Sequence, residues 1–159
     1  MYQNALVTTD GSDTARAAFP HVAKIVEPGG AVTVVEVIDE IGRVLARTTP
    51  AGFELSGMNA FDADIAEQIV AAQRREAEKH LEEARATLTA AGLKNVQTVV
   101  LEGLPGDRIV EESQARKCDV VIMSTHGRSG LRRTVLGSVA DHVLRHLDGV
   151  PVLLVHPAD

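Results

Sequence analysis

Apolar residues follow two spacings that alternate along the chain. Ala5-Leu6-Val7 is a short apolar run that ends in Thr8-Thr9-Asp10-Gly11, a turn-forming stretch, and residues 31–38 form a second run rich in β-branched side chains. Both read as strands. Between them Ser12 and Asp13 open a helix that carries Ala15, Ala18, Val22 and Ile25. Pro20 predicts a kink or break in that helix, and Pro28-Gly29-Gly30 predicts its stop. A long helical pattern over residues 62–91 lines up Ala77, Leu81, Ala84, Leu88 and Ala91, with Lys79 and Glu83 as an exposed i,i+4 pair and Gly92 as the stop. Residues 96–101, 119–123 and 151–155 read as three further strands. A short helix reaches Arg116, and a last helix covers 138–147. Residues 39–61 show no period and contain Gly42, Pro50, Gly52 and Gly57, which predicts a long loop.

Strands that alternate with helices in this way predict one α/β domain over residues 1–159, a parallel sheet with right-handed crossovers and helices on both faces. Ligands of such sheets sit beyond the carboxyl ends of the strands, where the strand order reverses. At 159 residues the chain is long enough to bury one such sheet.

Composition narrows the function classes. The net charge of −6 opposes non-specific binding to nucleic acid, whose backbone requires a basic face. With no Trp, one Tyr and three Phe, the chain lacks the stacking platforms of single-strand binders. Cys118 is the single cysteine, which rules out an internal disulfide and argues against a Cys-based zinc site. No basic segment followed by an apolar stretch opens the chain, and no apolar run approaches the roughly 20 residues of a membrane span. The expectation is a cytoplasmic protein with neither a nucleic-acid nor a membrane partner.

The segment richest in chemistry is Ser124-Thr125-His126-Gly127-Arg128-Ser129-Gly130, which continues to Gly137-Ser138. It leaves a buried strand and enters a helix. Ser138 and Asp141 have the spacing of a capping box, which places the helix N-terminus at Ser138. Such an N-terminus offers unpaired N–H groups and the positive end of the helix dipole to an anion. Glycines at 127 and 137 let the backbone approach phosphate closely, and Arg128, Arg132 and Arg133 are available for charge-assisted bonds. The competing reading is a surface loop with turn glycines and solvated arginines. The segment is not a Walker loop, and the turn after the first strand lacks the dinucleotide fingerprint. Asp10, at the end of that strand, suits either a ribose or its own turn as an acceptor. His126 with Ser124, Ser129 and Asp10 suggests a hydrolytic triad, but the Gly-x-Ser-x-Gly elbow is missing and His126 reads as a loop-fixing residue. His142 and His146 are i,i+4 without the Glu of the metalloprotease pattern, so no metal site is expected.

Together these segments resemble the universal stress protein family over essentially the whole chain. Leu6-Val7-Thr8-Thr9-Asp10-Gly11-Ser12 looks like its opening strand and turn, and Glu36-Val37-Ile38-Asp39 like the end of its second strand. Glu102-Gly103-Leu104-Pro105 looks like the end of the third, and residues 151–155 fit the terminal strand. Nucleotide-binding members carry Gly-x2-Gly-x9-Gly-Ser/Thr. That spacing is met here by Ser124, Gly127, Gly137 and Ser138, with Ser124 in place of the first glycine. The resemblance implies a five-stranded parallel sheet of order 3-2-1-4-5 and ATP or AMP bound between the ends of strands one and four. In that picture Asp10 holds the ribose or adenine side and Val37 packs on the base. Met123 and Ser124 flank the nucleotide, and Gly127 and Gly137 admit the phosphates. Ser138, Val139 and Ala140 supply helix-start donors, with Arg128 as a further phosphate contact and Mg2+ accompanying ATP. Strand 151–155 is an apolar edge expected to pair with a second copy in a homodimer. The loop over 39–61 is expected to act as a lid. The function so implied is a stress-response or signalling module that acts through nucleotide-dependent association. A slow ATPase or hydrolase and a nucleotide-free interaction protein are the alternatives.

Overall fold

A computed structural model describes residues 1–48, 60–125 and 136–156. The elements run β1 Tyr2–Thr8, α1 Asp13–Arg16, α2 Phe19–Ile25, β2 Val26–Ile38, α3 Ile41–Thr48 and α4 Ala60–Ala90, followed by β3 Asn95–Glu102, α5 Pro105–Ala115, β4 Val120–Ser124, α6 Ser138–His146 and β5 Val152–Val155. The five strands form one sheet in the order β3-β2-β1-β4-β5, and every neighbouring pair is parallel. This is the order the resemblance implies.

Side-chain alternation along each strand divides the core into two layers. Ala5 and Val7 of β1, Val32 and Val34 of β2, and Val120 and Ile122 of β4 face α2 and α4, where they pack with Val22, Leu81 and Leu88. Leu6, Val35, Val121 and Met123, at the alternate positions, face the other way onto Ile109 of α5, Ala140 and Val143 of α6, and Leu147 just after it. Strands buried on both faces read as continuous apolar runs, as β4 does. Cys118 lies buried in the second layer, and burial pushes its thiol pKa up to about 11.

One expectation holds and three change in detail. The first helix is broken, as Pro20 predicts: α1 ends at Arg16, and α2 carries Pro20 in its first turn, where a missing N–H costs nothing. Strand β2 begins at Val26 rather than at 31, because Val26 already has extended geometry (φ −89°, ψ 138°). Pro28-Gly29-Gly30 is therefore not the helix stop: the helix ends earlier, at Ile25, and these residues lie inside the strand, where the pairing shifts register between Tyr2↔Val26 and Asn4↔Ala31. The predicted loop over 39–61 contains a helix, α3. Ile41, Val44 and Leu45 make an apolar i, i+3, i+4 stripe, too short to stand out as a period, and Val44 packs with Ala66 and Val70 of α4. The proposed lid otherwise falls on residues 49–59, outside the described residues. Glu83, expected to pair with Lys79, bonds instead to Arg16 of α1 at 2.6 Å.

No helix among the described residues is long and apolar enough to cross a membrane, and none of those residues forms a His/Cys/Asp/Glu group that could hold a metal ion.

Candidate functional site

The strand order reverses at β1, which has β2 on one side and β4 on the other. Beyond the carboxyl ends of these strands lies a cleft of about 290 Å³. Its floor is apolar: Val35 of β2, Met123 of β4, Ile109 of α5 and Ala140 of α6 are all buried. Asp10 borders it from β1, Val37 from β2 and Ser124 from β4; Gly137, Ser138 and Val139 border it from the start of α6. Eight of the ten candidate residues thus meet at one cleft. The other two, Gly127 and Arg128, fall outside the described residues, as do Arg132, Arg133, His126 and Ser129.

The turn after β1 is internally bonded. The Thr9 N–H donates to the Val35 carbonyl at 2.9 Å, and the Gly11 N–H to Thr9 Oγ1 at 3.2 Å. Asp10 Oδ1 accepts from the Ser12 N–H at 3.0 Å and from the Ser12 hydroxyl. Ser12 in turn caps α1 by accepting from the Ala15 N–H at 3.2 Å. Asp10 thus takes the turn role in its own loop, and it also borders the cleft.

The glycine-rich segment is pinned where it leaves β4 and where it enters α6. Gly137 N–H donates to the Thr125 carbonyl at 2.9 Å, and Thr125 N–H donates to the Val155 carbonyl at 3.0 Å. The Thr125 hydroxyl also meets His156 Nδ1 at 3.0 Å. The expected capping box does not form. Gly137, not Ser138, is the N-cap residue, and the helix start has no side-chain cap. Asp141 instead bonds Arg145 one turn on at 2.8 Å, and this bond holds its carboxyl below the usual carboxylate range. The first helical bond of α6 is Asp141 N–H to the Gly137 carbonyl, so the N–H groups of residues 138–140 have no partner within the helix. The residues that carry them line the cleft.

The wall made by α5 and α6 is fixed by close contact. Gly106 lies so near His142 that a Cβ there would stand 2.5 Å from the imidazole, and His142 Nε2 reaches Asp107 at 2.7 Å. The paired histidines of α6 are explained by packing, with the ring of His142 stacked on that of His146 at 4.1 Å.

A second hollow of about 410 Å³ adjoins the cleft and shares Val37 and Pro105 with it. Glu36, Asp39 and Glu76 make it acidic. The two ends of the site thus differ in sign, with carboxylates near Val37 and a helix N-terminus near Gly137. Sequence reasoning missed Thr9, Thr125, Pro105 and Ile109 as cleft residues. The first two adjoin Asp10 and Ser124 and were legible from position alone. Pro105 and Ile109 come from a helix whose placement only the sheet order determines.

Comparisons with known proteins agree with this architecture. A family model described as the universal stress protein family matches residues 1–156. Universal stress protein MJ0577 of Methanocaldococcus jannaschii is 28% identical over 156 residues, covering 98% of this chain and 95% of its own. Its solved structure superposes with a TM-score of 0.81 and covers 100% of this chain and 99% of that one. A putative universal stress protein of Staphylococcus epidermidis is 30% identical over 148 residues, which is 91% of this chain and 79% of its own length. The universal stress protein of Archaeoglobus fulgidus solved in complex with dAMP shares the fold, with 20% identity, a TM-score of 0.58 and coverage of 96% and 97%. The chain belongs to the universal stress protein family.

Proposed function

We propose that this protein binds an adenine nucleotide, ATP or AMP, in the cleft between β1 and β4, and that it serves in the cytoplasm as a stress-response or signalling module working through nucleotide-dependent association. The observation that carries the reading is the meeting of Asp10, Val37, Met123 and Ser124 with Gly137 and the uncapped start of α6. An apolar floor suits a base. A carboxylate at a strand end suits a ribose, whose hydroxyls donate. Free N–H groups at a helix start suit phosphate. The sign difference along the site sets the direction: base toward Val37, phosphates toward Gly137 to Ala140. Gly127 and Arg128 complete the phosphate side in this reading, and Mg2+ accompanies a triphosphate, whose charge is high beside Asp141. A universal stress protein of the same fold is solved with dAMP, which is a property of that protein and compatible with this reading.

Calorimetric titration with ATP and with AMP tests the proposal. Binding by the wild-type protein is the expected result. No heat and no thermal stabilisation at millimolar nucleotide would leave the nucleotide-free interaction protein as the reading, and Ser124, in place of the family's first motif glycine, would be its cause.

A further inference from the structure

The β1–α1 turn is backed from outside the cleft by a residue of another element. Gly11 has φ +76°, and a Cβ built on it would lie 2.3 Å from Cε1, 2.4 Å from Nδ1 and 2.4 Å from Nε2 of His80. The imidazole therefore rests directly on the turn that joins Asp10 to Ser12. His80 belongs to α4 and is itself largely buried, with 11% of its side chain exposed. Its Nδ1 lies 3.0 Å from a carboxylate oxygen of Glu36, whose side chain is 7% exposed, and its Nε2 lies 3.1 Å from Glu76. Glu36 sits on β2 immediately before Val37. One ring thus touches the turn that carries Asp10 and bonds the strand end that carries Val37, yet it does not border the cleft.

We propose that His80 is a positioning residue for the nucleotide site, holding the Asp10–Ser12 turn and the carboxyl end of β2 at one separation by packing on Gly11 while bonding Glu36. The inference rests on the nucleotide reading above and adds a residue that makes no contact with the ligand. Two features give it force. A glycine with positive φ and no room for a side chain is required by the ring itself. The ring is also held at both nitrogens, by Glu36 at 3.0 Å and Glu76 at 3.1 Å, so swinging away breaks two contacts at once. The span is set by length: a side chain that reaches both Gly11 and Glu36 preserves it, and a shorter one with the same polar group does not.

The test compares wild type with His80→Gln, His80→Asn and His80→Ala. AMP affinity is measured by calorimetry well below each melting temperature, and amide hydrogen exchange is followed at Ser12 and Ala15. The amide of Gln reaches Glu36 and fills the place of the ring, so AMP affinity stays within about threefold of wild type. Asn and Ala are too short, and affinity falls by about tenfold, on the scale of couplings between contacting residues. Exchange at Ser12, whose N–H is bonded to Asp10, speeds up in the Asn and Ala variants and not in Gln, while β1 and β4 amides stay protected. Equal AMP affinity for Gln and Asn would overturn the proposal. So would a lowered melting temperature with unchanged affinity and unchanged Ser12 exchange. If wild type itself does not bind AMP, the nucleotide reading fails separately. The exchange pattern then decides alone whether His80 holds the turn: faster Ser12 exchange in Asn but not Gln supports it, and no difference sinks it.

Discussion

Gly137 is the residue at which backbone freedom and ligand space can be told apart. Its φ of −58° is open to any L-residue, so Gly137→Val leaves the N-cap conformation accessible and removes only room at the helix start. The expected outcome is a loss of ATP affinity of about 100-fold, near 2.7 kcal/mol, with the melting temperature little changed. Unchanged affinity would move the phosphates elsewhere in the cleft. Ser124→Gly is expected to hold or tighten affinity, because it removes a Cβ from the cleft wall and restores the family residue. Cys118 supplies a pH-dependent check on the core. Its thiol is neutral up to about pH 11 because burial opposes the charged form, so alkylation at pH 8 should be slow in the native state and fast after unfolding in urea. Fast native alkylation would contradict its burial. At this scale the sequence displayed Asp10, Gly137 and Ser138, since turn and helix-start chemistry is local. It did not display His80, whose partners Glu36 and Gly11 lie 44 and 69 positions away in the chain and meet it only through the packing of α4 on β2.

The elements repeat that division between local and long-range causes. Pro20 announces the break between α1 and α2 because the steric effect of its ring is felt within a turn. Helix α3 stayed hidden because a stripe of three residues over little more than one turn does not make a period, and the stripe gains its meaning from Val70 and Ala66 on α4. The supposed capping box failed for a similar reason. Spacing permits Asp141 to reach back, but Arg145 one turn ahead offers it a charge-assisted bond. The contact between α5 and α6 makes a testable case. A Cβ at residue 106 would press on His142, so Gly106→Ala is expected to cost about 1–3 kcal/mol in urea unfolding and to weaken nucleotide binding by shifting the start of α6. His142→Ala removes the ring atoms at 2.5 and 2.6 Å but keeps the Cβ at 2.9 Å, so the double variant should recover part, not all, of the stability lost by Gly106→Ala alone. Independent, additive losses would show that the two residues do not share this contact.

For the molecule as a whole, the two edges of the sheet are unlike, and this bears on assembly. Edge strand β3 exposes Asn95, Gln97 and Glu102, polar residues that discourage pairing with another chain. Edge strand β5 consists of Val152, Leu153, Leu154 and Val155, and its first three residues remain half-buried in the single chain. A homodimer of the kind expected from the sequence would therefore form at β5, where a two-fold axis would bring the strand against its own copy. Replacing Leu154 by a charge tests this poorly, because Leu154 also packs on the α5–α6 layer. Backbone geometry offers a cleaner variant. The carbonyls of Pro151 and Val155 accept from Val121 and Thr125 of β4, so the alternation of a parallel ladder turns the N–H groups of residues 152 and 154 toward the open edge. Val152→Pro removes one of those outward donors and leaves the β4–β5 ladder its bonds, since proline is tolerated on an edge strand whose N–H faces away. Light scattering at micromolar concentration should then give twice the chain mass for wild type and a single chain mass for Val152→Pro, with the two proteins alike in circular dichroism. A monomeric wild type removes the dimer altogether. A Val152→Pro protein that still dimerises with full affinity places the interface away from β5.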